Sequence, residues 1–236
     1  MICTWSTASS IRPPFLPFIS KKAYHAWLNH AINRLRHERE NKHVITPAKP
    51  TPYRKILKKS DRLCVRPYNL SDYTGCQDAR ENRLSKINKF DDEIDITQFH
   101  SREDFKKMID AQRERGKLET HFAFGVFDVF TGFHLGGVEL FVLNKQLRWA
   151  NLGYSIHNQY WGRGYATEAC GLALQIAFID LNLHRVEAAT RPENKAAIQV
   201  AQKAGLVHEG IRKKFFAAQG GIDMVVFGAN AIDYLS

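Results

Sequence analysis

Apolar positions recur in two periods along this chain, and the switches between them mark most of its elements. Leu63 to Arg66 alternates as a first strand, and the polar stretch from Ser71 to Lys89 suits a first helix with its loop. Phe105, Met108, Ile109 and Gln112 fall on one side of a helix that Ser101 and Asp104 open as a capping pair. Strands are predicted at His121 to Asp128, Gly137 to Leu143 and Leu147 to His157, the first two joined through Thr131-Gly132. The aromatic run FAFGVFDVF is read as core packing of an antiparallel sheet. From Ala166, ATEACGLALQIAFI places apolar residues at helical spacing as far as about Asp180. A strand at Arg185 to Thr190 follows, then a helix at Lys195 to Ala204 stopped by Gly205, and strands near Leu206 to Gly210 and Met224 to Gly228. Together these elements predict an α+β fold.

Ahead of them the pattern is different. Tyr24, Trp27, Leu28, Ala31, Ile32 and Leu35 recur at helical spacing over about residues 20–40, with Ser20 as a cap. Residues 44–53, VITPAKPTPY, hold three prolines and read as an extended connector. Charge sets this part apart too. The chain carries a net charge of +10, and residues 1–60 hold 12 Lys/Arg against 2 Asp/Glu, whereas residues 61–236 hold 22 of each. The expected organisation is therefore a basic extension, 1–59, ahead of a domain, 60–236.

With 236 residues, 44% of them hydrophobic, the chain can bury a full core. No apolar run reaches the length of a membrane span, and PPFLPFI near the start is short and broken by prolines. Cys3, Cys64, Cys76 and Cys170 show no CxxC spacing, so neither a metal site nor a disulfide framework is predicted and a cytoplasmic setting is expected.

The stretch with the most chemistry in it is Asn151 to Cys170, NLGYSIHNQYWGRGYATEAC. A strand, a turn holding Gly162 and Gly164, and an apolar helix follow one another directly. Such glycines let consecutive N–H groups converge at a helix start, where the dipole favours an anion, and Arg163 adds a full charge. The ending is not the Gly-Lys-Ser/Thr of a nucleotide P-loop, nor is the spacing GxGxxG.

The pattern Gln159, Gly162, Gly164 (QxxGxG), directly after GYSI and before an apolar helix, resembles the acyl-CoA pyrophosphate loop of the GNAT acyltransferase superfamily. RVEAATRPENKAAIQVAQKAGLVHEG at 185–210 is similar to the strand, Asn-led helix and Gly stop that follow that loop. SDRLCVRP at 60–67, LGYSI at 152–156 and the tail GIRKKFFAAQGGIDMVVFGANAID resemble the RimJ/RimL type of protein N-terminal acetyltransferase. The resemblance runs from about residue 60 to 235. It implies a mixed, mostly antiparallel sheet flanked by helices, acetyl-CoA as cosubstrate, and direct attack by an amine without an enzyme-linked acyl group.

It further implies that the strand Leu152 to His157 splays from its neighbour, opening backbone donors to the pantetheine arm and thioester carbonyl. Tyr154, Ser155 and Ile156 are the expected arm contacts. Gln159, Gly162, Arg163, Gly164, Tyr165, Ala166 and Thr167 are expected at the pyrophosphate. Two positions depart from the family pattern. Asn151 stands where related enzymes often carry a basic Glu, and an amide nitrogen accepts no proton. Ala197 stands where a Ser commonly serves the leaving thiolate. Glu139 is the first substitute base, unless it merely occupies the solvent face of its strand, and His157 is the second. Asn194 is either a contact to cofactor or substrate or a plain helix cap. Asp223 matches an Asp of the RimJ/RimL tail.

Three functions follow from the resemblance. The first is acetyl transfer to a protein or peptide N-terminal amine. The second is acetylation of a small polyamine-like or aminoglycoside amine, toward which DDEID at 91–95 could draw a cation if it is more than a solvated loop. The third is a non-catalytic acyl-CoA-binding adapter. Residues 1–59 are either a helix packed on the domain with a solvated basic face or a tether to RNA or the ribosome, with a membrane surface or a transit peptide as further readings. A homodimer is a further expectation.

Overall fold

The computed structural model describes residues 50–91, 99–217 and 221–235. The predicted helix at about 20–40, most of the 44–53 connector, and residues 92–95 of DDEID lie outside them. Contacts divide the chain into Met1–Pro47 and Ala48–Ser236, and the second unit is the one described below.

Its frame is an eight-stranded sheet in the order β1-β2-β3-β4-β5-β6-β8-β7. The strands are β1 (Lys58–Lys59), β2 (Leu63–Arg66), β3 (His121–Asp128), β4 (His134–Asn144), β5 (Trp149–Ile156), β6 (Arg185–Thr190), β7 (Val207–Phe216) and β8 (Ile222–Asn230). All pairings are antiparallel except β5 with β6. The α+β expectation and the mixed, mostly antiparallel sheet are both met.

Five helices attach to the sheet: α1 (Tyr73–Glu81), α2 (Arg102–Lys117), α3 (Tyr165–Gln175, continued by a π-helical turn Ile176–Asp180), α4 (Lys195–Lys203) and α5 (Ala231–Tyr234). The α2 start follows the predicted cap, with Ser101 Oγ accepting from the Asp104 amide at 3.1 Å. Phe105 and Ile109 of α2 join Cys64, Tyr68, Cys76, Phe99 and Phe127 in one apolar cluster. A larger core gathers the inner residues of β2 to β6 and β8 around Ala169, Cys170, Leu172, Ala173 and Leu174 of α3. An apolar stripe this wide on one helix accounts for its burial.

The predicted first helix with its loop is met by a helix at Tyr73–Glu81 and, from Arg83 to Asp91, a run without helix or strand. One boundary differs from expectation: the folded unit begins ahead of residue 60. Tyr53 and Ile56 are buried in the main core, and the Tyr53 hydroxyl donates to the Ala123 carbonyl. Net charge located the change of composition, but it is blind to these two apolar anchors among the lysines.

Candidate active site

Three consecutive parallel pairs join β5 to β6: Trp149 with Arg185, Ala150 with Val186 and Asn151 with Glu187. Beyond them the strands part. From Leu152 onward β5 stays paired with β4, and from Ala188 onward β6 stays paired with β8. Backbone groups on the facing edges of Leu152–Ile156 and Ala188–Thr190 are thereby released from the ladder, as the resemblance implied. A cavity of about 700 Å³ occupies the gap.

One end of the cavity is closed by the start of α3. Gly162 and Gly164 have φ of 77° and 79°, in the left-handed region that favours glycine. The first intrahelical bond runs from the Glu168 amide to the Gly164 carbonyl at 3.2 Å, so the amides of Tyr165, Ala166 and Thr167 precede it. All three residues line the cavity. The helix α4 forms another wall. Asn194 caps it, its Oδ1 accepting from the Ala197 amide at 3.1 Å, and Asn194 and Ala197 face the cavity. Tyr154 bridges from β5 by donating its hydroxyl to the Ala197 carbonyl at 2.9 Å. Burial pushes that phenol far above its ordinary pKa, with Cys170 adding in the same direction, so it stays a protonated donor.

Of the thirteen residues expected to bind or catalyse, nine line this cavity: Tyr154, Ser155, Ile156, Gly162, Gly164, Tyr165, Ala166, Thr167 and Asn194. The other four lie outside the lining. Gln159 turns its Nε2 to the Ala79 carbonyl at 2.8 Å, fastening the turn to α1. Arg163 is exposed, its guanidinium 5.9 Å from the Tyr160 ring centre. His157 is buried, with Nε2 3.1 Å from His134 Nδ1. Glu139 projects from β4 opposite Gly153 of β5, and a Cβ on that glycine would stand 4.0 Å from the Glu139 Cβ. Phe141 Cε2 would stand closer still, at 3.7 Å. Glu139 Oε2 lies 3.5 Å from Nε2 of His121, whose ring stacks on Phe141 at 4.2 Å.

Several participants were not legible in the sequence. Arg62 reaches from the β1–β2 turn to the cofactor-type loop: its Nε donates to Glu168 Oε2 at 2.8 Å, its Nη1 to the Arg163 carbonyl at 3.1 Å, and its guanidinium sits 4.9 Å over the Tyr165 ring. Glu187, the partner of Asn151 at the apex of the gap, is 6% exposed and held by Arg185 at 2.9 Å and Arg212 at 2.8 Å. Gripped by two guanidiniums, it ties β6 to β7. Asn88, Phe90 and Asp91 also line the cavity, together with Phe216 and Met224 from the last two strands. Asp223 pairs with Lys213 at 2.8 Å, away from the lining. Among the described residues no cluster of three His, Cys, Asp or Glu is placed to hold a metal, and no helix is long and apolar enough to cross a membrane.

The cavity suits an elongated anionic cosubstrate: unpaired strand edges for an amide-bearing arm, and three helix-terminal amides with the positive end of α3 for a diphosphate. The chain is 30% identical over 160 residues to the Bacillus subtilis protein named Probable N-acetyltransferase YjcK, covering 66% of this chain and 86% of that one. It is 36% identical over 86 residues to the spermidine N(1)-acetyltransferase of Escherichia coli (strain K12), 36% of this chain and 46% of that one. The solved structure of Mycobacterium smegmatis RimJ in complex with CoA-disulfide shares the fold with a TM-score of 0.63 at 20% identity, over 80% of this chain and 93% of that one. A family model described as an acetyltransferase (GNAT) domain matches residues 62–207, more than half of the chain, and the protein belongs to the GNAT family of acetyl-CoA-dependent acyltransferases.

Proposed function

We propose that the protein acetylates the N-terminal amine of a protein or peptide. The observation that supports this most is the charge of the cavity wall. Among the described residues the lining holds one carboxylate, Asp91, beside the cationic Arg191 and Lys203. The Asp91 side chain is buried, and Arg83, Asn158 and the Ile87 amide take up its oxygens at 2.7, 2.9 and 2.8 Å. A polycation needs accessible carboxylates, whereas a single amine on a peptide needs a groove with apolar sides, such as Phe90, Phe216 and Met224 offer.

Acetyl-CoA, when bound, would supply the acyl group as a thioester: the amine forms C–N, the C–S bond breaks, and CoA leaves as the thiolate, which takes its proton from water. The chain's own residues then have distinct tasks. Amides at the start of α3, residues 165–167, hold the diphosphate, with Gly162 and Gly164 shaping the turn. The freed edge of Tyr154, Ser155 and Ile156 holds the arm and offers N–H donors to the carbonyl oxygen as charge develops on it. Asn194 and the Tyr154–Ala197 bond keep α4 at a fixed distance across the gap. Glu139, across from Gly153 on the neighbouring strand, takes the proton that leaves the amine. Positioning supplies the greater part of the rate, since no covalent intermediate on the protein is needed.

A second reading, acetylation of a small polyamine, is supported by the similarity to spermidine acetyltransferase. The deciding experiment is CoA thiol release from acetyl-CoA with peptides of varied N-terminal residue, spermine and an aminoglycoside. Release with peptides is expected. Release only with the small amines would replace this reading by the second. For the basic extension, contact with RNA or the ribosome is proposed on charge alone, and is tested below.

A further inference from the structure

The segment between Arg83 and Asp91 has no helix or strand, and its apolar side chains do little to hold it: Leu84 is 57% and Ile87 53% exposed. Yet this segment supplies Asn88, Phe90 and Asp91 to the cavity wall. A polar latch holds it instead. Asn158, 3% exposed, accepts from the Leu84 amide through Oδ1 at 2.8 Å, while its Nδ2 donates to the Leu84 carbonyl at 2.8 Å and to Asp91 Oδ2 at 2.9 Å. Asp91 in turn accepts from the Ile87 amide at 2.8 Å and from Arg83, closing the segment on itself. Burial acts to raise the Asp91 pKa, but those donors outweigh it and the carboxyl lies below its usual value.

Asn158 belongs to the turn that leads into the cofactor loop. It opens the 3₁₀ turn Asn158–Tyr160, its carbonyl accepts from the Trp161 amide at 3.2 Å, and Gly162 follows immediately. The Trp161 indole anchors the same turn by donating to the Ile156 carbonyl at 2.6 Å. One side chain therefore joins the turn before the start of α3 to the segment that supplies this part of the cavity wall.

We infer that Asn158 is a positioning residue that couples occupancy of the acetyl-CoA loop to the order of the segment 84–91, which carries Asn88, Phe90 and Asp91 into the cavity wall. The inference rests on the reading above, in which the diphosphate sits at the start of α3. A ligand seated there restrains the turn 158–164, which restrains Asn158, which holds the Leu84 amide and Asp91. By reciprocity, an ordered wall favours the ligand-bound loop.

The test is hydrogen exchange of the peptide covering residues 82–91 in the full chain, with and without CoA, beside calorimetric binding of CoA. CoA is expected to slow exchange there several-fold. In Asn158→Ala the same peptide should exchange fast with or without CoA, while CoA affinity weakens no more than several-fold because the α3 amides are untouched. Asp91→Asn should show part of the effect, and the double variant should be no worse than Asn158→Ala alone, as members of one latch require. Binding of CoA that leaves exchange at 82–91 unchanged, or CoA-dependent slowing that survives in Asn158→Ala, would overturn the coupling. Absence of CoA binding in the unaltered protein would overturn the functional reading and this inference with it.

Discussion

Arg62 and Glu168, 106 residues apart in sequence, form a charge-assisted pair in which Arg62 Nε donates to Glu168 Oε2 at 2.8 Å, on the first turn of α3. The same guanidinium holds the Arg163 carbonyl and covers the Tyr165 ring, so the glycine turn is fastened to β2 from outside the cavity. With 46% of the Arg62 side chain exposed, the pair adds little to global stability, about 1 kcal/mol or less. Its effect is on the shape of the loop. Arg62→Ala should raise KM for acetyl-CoA several-fold with kcat at saturating cosubstrate retained. Lysine should restore little, since it cannot bridge a carboxylate and a carbonyl while stacking on a ring. A steady-state comparison of the three proteins checks this; an unchanged KM would remove the assignment.

Glu139→Gln keeps the shape of the side chain over Gly153 and removes its capacity to take a proton. A loss of about 10²-fold in kcat/KM for the amine at neutral pH is expected, within the usual range for a general base. Activity at the unaltered level would assign proton removal to water or to another group.

His134 is 2% exposed, with Nε2 3.1 Å from the Tyr68 hydroxyl and Nδ1 3.1 Å from His157. Burial first, and then the neighbouring His157, lower its pKa to about 3. The unfolded chain binds a proton at His134 near pH 6.5, the folded chain only near pH 3. Between those values the unfolded state holds more protons, so this stabilisation is fully present above about pH 6.5 and is lost as pH falls toward 3. It amounts to a few kcal/mol, on the order of one per pH unit. Urea unfolding from pH 4 to 7 should show this slope, and it should flatten in His134→Gln. Equal slopes in the two proteins would show that another group sets the acid limit.

Removal of residues 1–47 should leave the domain folded, whereas removal of residues 1–59 deletes Tyr53 and Ile56 from the core. The second truncation is expected to be less stable by more than about 3 kcal/mol, read from denaturant midpoints. The first truncation also carries the fair test of the extension: salt-sensitive RNA binding should be lost with residues 1–47. Equal RNA affinity in the shorter chain would end that proposal.

Much of the fold could be read from the chain because periodicity is a local property. The strands at 63–66, 121–128 and 185–190 and the α2 cap at Ser101 come out at the expected residues, each specified by neighbours a few positions away. The cofactor loop was legible for the same reason, since two glycines, a strand before and an apolar helix after them suffice to aim amides at one point.

What the chain alone did not disclose depends on distance. Nothing near Arg62 points to Glu168, and nothing near Asn158 points to Leu84 or Asp91. Gln159 and His157 carry side chains suited to a ligand or a proton, yet α1 claims one and His134 the other, and only packing decides such competition. Asp91 shows the same limit in reverse. Its place at the head of an acidic run suggests attraction for a cation, while the fold buries it among donors. Sequence determined which backbone groups would be free to bind, because strand and helix ends follow local rules. Tertiary structure decided which side chains were left to join them, because each polar side chain goes to the partner that folding brings within reach.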